Sequence, residues 1–169
     1  MDIQTQIIES AQALRGKVIQ KMIEMDIRID IIIGNYFTAN EEKHRELTLV
    51  VFGSINTSAK IPILEYVLSR DETNEKASMS QLLNNMRKVI EERNVLAHWP
   101  VNITEEGQNA FTHHVQLMFV KMKTGKVAGV PELGLQKTFS EDKATLLINC
   151  IDSINGVLDQ IIGNGRDYG

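Results

Sequence analysis

An arginine, an asparagine and a histidine fall within six residues of one another: Arg93, Asn94 and His98, in the stretch EERNVLAHWP from Glu91 to Pro100. A guanidinium fork grips a phosphate through two parallel hydrogen bonds. An imidazole takes up and returns protons near neutral pH. These are the parts for metal-free cleavage of RNA. The 2′-hydroxyl attacks the adjacent phosphorus, the histidine moves protons, and the arginine stabilises charge growing on the phosphoryl oxygens. On a helix, Asn94 and His98 stand four apart and share a face. Arg93 is one step round, and its long side chain reaches the same spot. One histidine is too few for a reaction that needs both a base and an acid. Two chains with facing motifs supply two, so the chemistry points to a symmetric homodimer.

The same residues have a structural reading. Positive groups near a helix C-terminus gain from the dipole and cap free carbonyls, and Trp99 can pack on the core. With seven arginines and four histidines in the chain, the bare Arg-x4-His spacing decides little. The helical setting carries more.

Asp26 and Asp30 also stand four apart on one helix face, with Arg28 between them pointing elsewhere. They read either as a solvated acidic edge or as carboxylates that orient a basic group on another helix. His113 and His114 in a strand would point to opposite faces and could not share one metal. No Cys, His or carboxylate set has zinc spacing, so no metal site is expected. The glycines of GNG, Gly163 to Gly165, precede no helix. There is no GxSxG and no Walker motif, so no cofactor is expected.

The element that presents the motif is an amphipathic helix. Ser78 or Ser80 would cap it, after a polar loop DETNEKAS. Leu82, Leu83, Met86, Val89, Ile90 and Leu96 form its apolar stripe. Pro100 disfavours helical geometry at Trp99 and should end it. Upstream, Ile3, Ile7, Ala11, Leu14, Val18, Met22 and Met25 predict a long helix from Asp2 to about Ile33, with Gly34-Asn35 as its stop. Thr38 or Asn40 would cap the next helix, with Glu41 and Glu42 in its first turn. After an interruption at 53–58, KIPILEYVLSR predicts another, with Pro62 tolerable only in its first turn. Downstream, HHVQLMFVKMKTGKVAGV alternates, placing Val115, Leu117 and Phe119 on one strand face and a hairpin turn at TGK. Ser140 would cap a closing helix with the stripe Leu147, Cys150, Ile151, Ile154, Leu158 and Ile161.

The expected fold is mainly α: a bundle of four to five helices with a small β-hairpin insertion, about 101–137, before the last helix. It would occupy one domain, 1–162, followed by a flexible tail, 163–169. Of the 169 residues, 43% are hydrophobic and 24% charged, with a net charge of −4. That suits a soluble domain and argues against coating nucleic acid through bulk charge, while leaving room for a local basic site. The single cysteine, Cys150, permits no intrachain disulfide and fits a reducing cytoplasm. MDIQTQIIES lacks a signal-peptide pattern, and the apolar run IDIII is too short to span a membrane.

RNVLAH, preceded by VIEE and followed by WP, resembles the R-x(4–6)-H motif of HEPN domains, in which a polar residue commonly follows the arginine. The order of helices is similar too. The resemblance implies a helical bundle that dimerises and brings two motifs into one cleft. Many members are metal-independent endoribonucleases of toxin–antitoxin, abortive-infection or CRISPR-linked defence systems. Others lack catalysis and serve as binding or assembly modules. Carried over, Arg93 is the motif arginine and phosphate clamp, Asn94 the polar, orienting neighbour, and His98 the general acid or base. The insertion departs from the minimal bundle. Lys121, Lys123 and Lys126 on it, with Arg87 and Lys88 before the motif, form either a basic rim or solvated charges. The leading expectation is a homodimeric RNA-cleaving enzyme, a toxin or defence component with an antitoxin or other protein partner. The rival is a non-catalytic HEPN-like module that binds a protein or a nucleotide, which the overall acidity favours.

Overall fold

The computed structural model describes residues 1–70, 76–124 and 131–164. In chain order they form α1 (Ile3–Phe37), α2 (Glu41–Glu46), a π-helical turn (Leu47–Val51) and a 3-10 turn (Phe52–Ser54). Next come α3 (Thr57–Ser69), α4 (Lys76–His98), α5 (Glu105–His114), β1 (Gln116–Thr124), β2 (Pro131–Ser140) and α6 (Glu141–Asn164). The fold is mainly α, with an antiparallel two-stranded hairpin before the last helix. Among the described residues there are six α-helices, and none is long and apolar enough to cross a membrane. The described residues group into two compact units.

The first unit joins Met1–Gln20 with Glu91–Ile148. Ile7, Ala11 and Val18 of α1 and Val95 and Leu96 of α4 are buried. Phe119 and Phe139, diagonal neighbours across the hairpin, meet edge to face at 5.5 Å. The expected alternation in β1 gives way to a run buried on both faces. Leu117 and Phe119 lie on one side, while Met118 and Val120 cluster with Ala110 of α5 on the other. The insertion is therefore not purely β. Thr104, Glu105 and Glu106 begin α5, which packs on β1 and places His113 and His114 in its own last turn rather than in a strand. Val115 is its C-cap, at φ 50°, and does not join the strand face. That left-handed backbone is costly for a β-branched side chain. Asn102 accepts from the amide of Thr104 at 2.9 Å and from its hydroxyl at 2.7 Å. A Cβ on Gly107 would overlap the carbonyl oxygen of Asn102, so this approach requires glycine. β2 runs to Ser140, beyond the expected end of the insertion, and passes directly into α6. Ser140 caps α6 as expected, accepting from the amide of Lys143 at 3.2 Å.

The second unit joins Lys21–Ile90 with the chain from Asn149 on. Met22, Met25, Ile29, Ile32 and Ile33 of α1 are buried, as are Ile61 and Leu64 of α3, Leu83 and Met86 of α4, and Ile151 and Leu158 of α6. Ion pairs Lys21–Asp152 and Arg28–Asp159 are spaced seven residues apart on both helices, so α1 and α6 run parallel here. α1 does not stop at Gly34-Asn35 but continues to Phe37, the amide of Thr38 bonding to the Gly34 carbonyl at 3.1 Å. The glycine serves close packing instead: a Cβ there would sit 2.5 Å from His44 Nε2. Asn40 caps α2 as expected, its Oδ1 accepting from the Lys43 amide at 3.0 Å. α3 starts at Thr57 with Asn56 as cap, so Pro62 falls inside the helix in its second turn and deprives the Ser58 carbonyl of its usual donor. α4 already includes Lys76, so Ser78 and Ser80 are helical rather than capping. The rest of the expected loop, 71–75, lies outside the described residues. So do Gly125 and Lys126 of the TGK turn, and the tail beyond Asn164. Gly163 and Asn164 still belong to α6.

Candidate functional site

Helix α4 ends at His98, with the Trp99 amide bonded to the Val95 carbonyl at 2.9 Å in its last turn. Pro100 stops the helix where the sequence predicts. Asn94 and His98 are exposed and Arg93 is half-buried. The Arg93 Nη1 donates to Asn94 Oδ1 at 3.1 Å, so the arginine does reach its neighbour's face. By helical spacing Arg93 continues the line Met86, Ile90, Arg93, Ala97, a charged group where an apolar stripe would have its next member. Among the described residues no carboxylate pairs with Arg93 or His98.

The capping of this helix is carried by a residue that sequence reasoning passed over. Arg15 of α1 donates from Nε to the carbonyl of Leu96 and from Nη2 to that of Trp99, both at 2.6 Å. Its guanidinium lies over the Phe119 ring at 5.2 Å. The fork thus satisfies two carbonyls at the helix end and places a cation against the negative pole of the dipole. Arg93 and His98 are released from that task. Arg15 did leave a signal: Ala11, Arg15, Val18 and Met22 follow helical steps, so it interrupts the apolar stripe of α1.

A second tether joins the motif helix to the hairpin. Lys137 of β2 pairs with Glu92 Oε1 at 2.8 Å, while Glu92 Oε2 is buried without a partner. Arg87 is bound to Glu65 of α3 at 2.9 Å, and Lys137 is taken up by Glu92. Lys88 and Lys121 are exposed. The Lys123 side chain and the whole of Lys126 lie outside the described residues.

Asp26 and Asp30 are not a solvated edge. Lys60 of α3, only 1% exposed, inserts its ammonium between them. Its Nζ lies 2.8 Å from Asp26 Oδ2, and 2.7 and 2.8 Å from the two oxygens of Asp30, of which only Oδ2 has hydrogen-bond geometry. Burial pushes the Asp30 carboxyl above its ordinary value, opposed by the hydrogen bond and charge of Lys60. The sharper alternative, carboxylates orienting a base on another helix, is what the fold contains.

The remaining candidates do not gather. His113 and His114 are exposed at the end of α5, and Cys150 is half-buried on α6. Among the described residues no three or more His, Cys, Asp or Glu side chains assemble as a metal set. One surface cluster was not foreseen. Tyr36 and Tyr66 meet edge to face, and Arg70 covers the Tyr66 ring at 4.9 Å while donating to its hydroxyl at 3.0 Å. That hydrogen bond, with a second from Tyr36, lowers the Tyr66 phenol below its ordinary pKa.

Compared with known proteins, the chain matches no family model, no curated protein and no solved structure, so the site is read from its own residues.

Proposed function

We propose that the chain is a HEPN-like, metal-independent endoribonuclease that works as a homodimer, with the motifs of two protomers in one composite site. The observation that carries the reading is the disposition of polar groups at the end of α4. Asn94 and His98 are exposed, Arg93 is held among the described residues only by Asn94, and the helix end is capped by Arg15. In this reading His98 of each protomer serves as base or acid, Arg93 neutralises the phosphoryl oxygens, and Asn94 aims the guanidinium. A toxin or defence role in the cytoplasm, held in check by an antitoxin protein, follows from the HEPN resemblance alone.

The test is cleavage of RNA by purified protein in the presence of chelator. Wild type should cleave, and His98→Ala should fall by roughly a hundredfold or more. Equal cleavage by both, or none by wild type, sinks the proposal. A second reading, a non-catalytic module that binds a protein or a nucleotide, has support in the acidic balance of −4 and in the pairing of Arg87 and Lys137 with glutamates. Absence of cleavage together with nucleotide binding that Arg93→Ala abolishes decides for it.

A further inference from the structure

Immediately after His98 stands Trp99, the one tryptophan of the chain. Phe52, Phe119 and Phe139 are buried, but the Trp99 indole remains half-exposed. Among the described residues no ring pairs with it and its Nε1–H meets no acceptor. Its backbone is firmly held. The amide donates to Val95, the carbonyl accepts from Arg15 Nη2, and the next carbonyl, of Pro100, accepts from the Val120 amide at 3.0 Å. Val101 then bridges to Phe119. An aromatic ring on a pinned backbone surrenders little freedom when it meets a ligand.

We propose that Trp99 is the stacking platform of the site and that the substrate is single-stranded RNA, an unpaired base lying on the indole beside the scissile phosphate. The inference rests on the RNA-cleaving reading and names its substrate class. Stacking suits an acidic chain, because every base offers a π-face and binding then leans less on a basic groove. In duplex RNA the bases are stacked on one another and present only their edges, so an unpaired strand is required. The free Nε1–H adds a donor for a phosphate or a base carbonyl.

Since Trp99 is the only tryptophan, its fluorescence reports on this position without a label. His98→Ala protein is titrated with a short oligouridylate, with a hairpin duplex of equal length, and with an abasic strand. Saturable quenching by the oligouridylate alone is expected. In cleavage by the wild-type background, Trp99→Ala should raise KM roughly tenfold with kcat little changed, and Trp99→Phe should recover most of the loss. Equal quenching by the duplex or the abasic strand, or none by the oligouridylate, overturns the inference. If cleavage is present and quenching absent, stacking falls and the cleavage reading stands. If quenching is present and cleavage absent, the cleavage reading falls and the stacking site stands.

Discussion

Two places in the molecule set charged groups on otherwise apolar helix stripes, and they resolve the problem differently. In the second unit Lys60 is sealed between Asp26 and Asp30, one ammonium answered by two carboxylates. In the first unit Arg93 takes a position in the apolar line of α4, and among the described residues only Asn94 answers it. An ammonium that is 1% exposed and held by two carboxylates has little left to offer a ligand. A cation with spare donors has most of its hydrogen-bonding capacity in hand. The comparison predicts that changes at Lys60 are felt in stability and changes at His98 in chemistry.

The largest effect should come from Lys60→Met. It leaves two carboxylates facing each other without their ammonium, and removing one partner of a buried ion pair costs about 3–5 kcal/mol. Urea denaturation measures this. A companion variant that also carries Asp26→Asn and Asp30→Asn should regain much of the loss, since the stranded charges are then gone. If Lys60→Met is nearly neutral, the triad is not what holds α1 to α3.

Arg15→Ala should rank next. It removes two charge-assisted hydrogen bonds to the Leu96 and Trp99 carbonyls, and a loss of about 2–3 kcal/mol is expected. Arg15→Lys should restore little, because an ammonium cannot reproduce the fork that spans both carbonyls. Hydrogen exchange should quicken at the Trp99 amide, which closes the last turn of α4. Unchanged exchange there would mean that Pro100 alone sets the helix end.

These two residues also mark the limit of what the sequence discloses. The stripe of α4 was legible because Leu82, Leu83, Met86, Val89, Ile90 and Leu96 recur at helical steps, and all six are buried. The caps Asn40 and Ser140 were legible because a short polar side chain before paired acids is a local signal. Lys60 was not, since lysine is almost never fully buried and only its distant partners explain it. Gly34 was misread for a related reason. A glycine that ends a helix and one that admits a neighbouring histidine look alike until the neighbour is in place. Helix α5 was hidden by the alternating run after it, which drew His113 and His114 into the strand. Within the motif, the shared face of Asn94 and His98 follows from spacing, and the Arg93–Asn94 bond agrees with it. The capping by Arg15 is a contact across more than eighty residues, beyond any local pattern.

A smaller, pH-dependent effect belongs to the triad. Burial raises the folded-state carboxyl of Asp30 above its unfolded value near 3.8. The folded protein therefore holds this proton to higher pH than the unfolded chain does. Stability from this group is fully present below the unfolded value and is lost as pH rises through the folded one. Asp30→Asn should remove that part of the pH dependence. Denaturation midpoints collected across the acidic range check it, and an unchanged slope would assign the titration to another carboxylate.

The smallest expected change in stability is at His98, and its smallness is the point. The imidazole is exposed and pairs with nothing among the described residues, so His98→Ala should alter unfolding free energy by no more than about 0.5 kcal/mol. The same substitution is expected to remove RNA cleavage. On the proposed reading His98 matters to chemistry and not to folding; what separates the end of α4 from the Lys60 triad is an exposed side chain with no partner among the described residues. Should His98→Ala instead cost as much stability as Arg15→Ala, His98 would be a second cap on the helix. The contrast between the two regions would then collapse into two versions of the same structural repair.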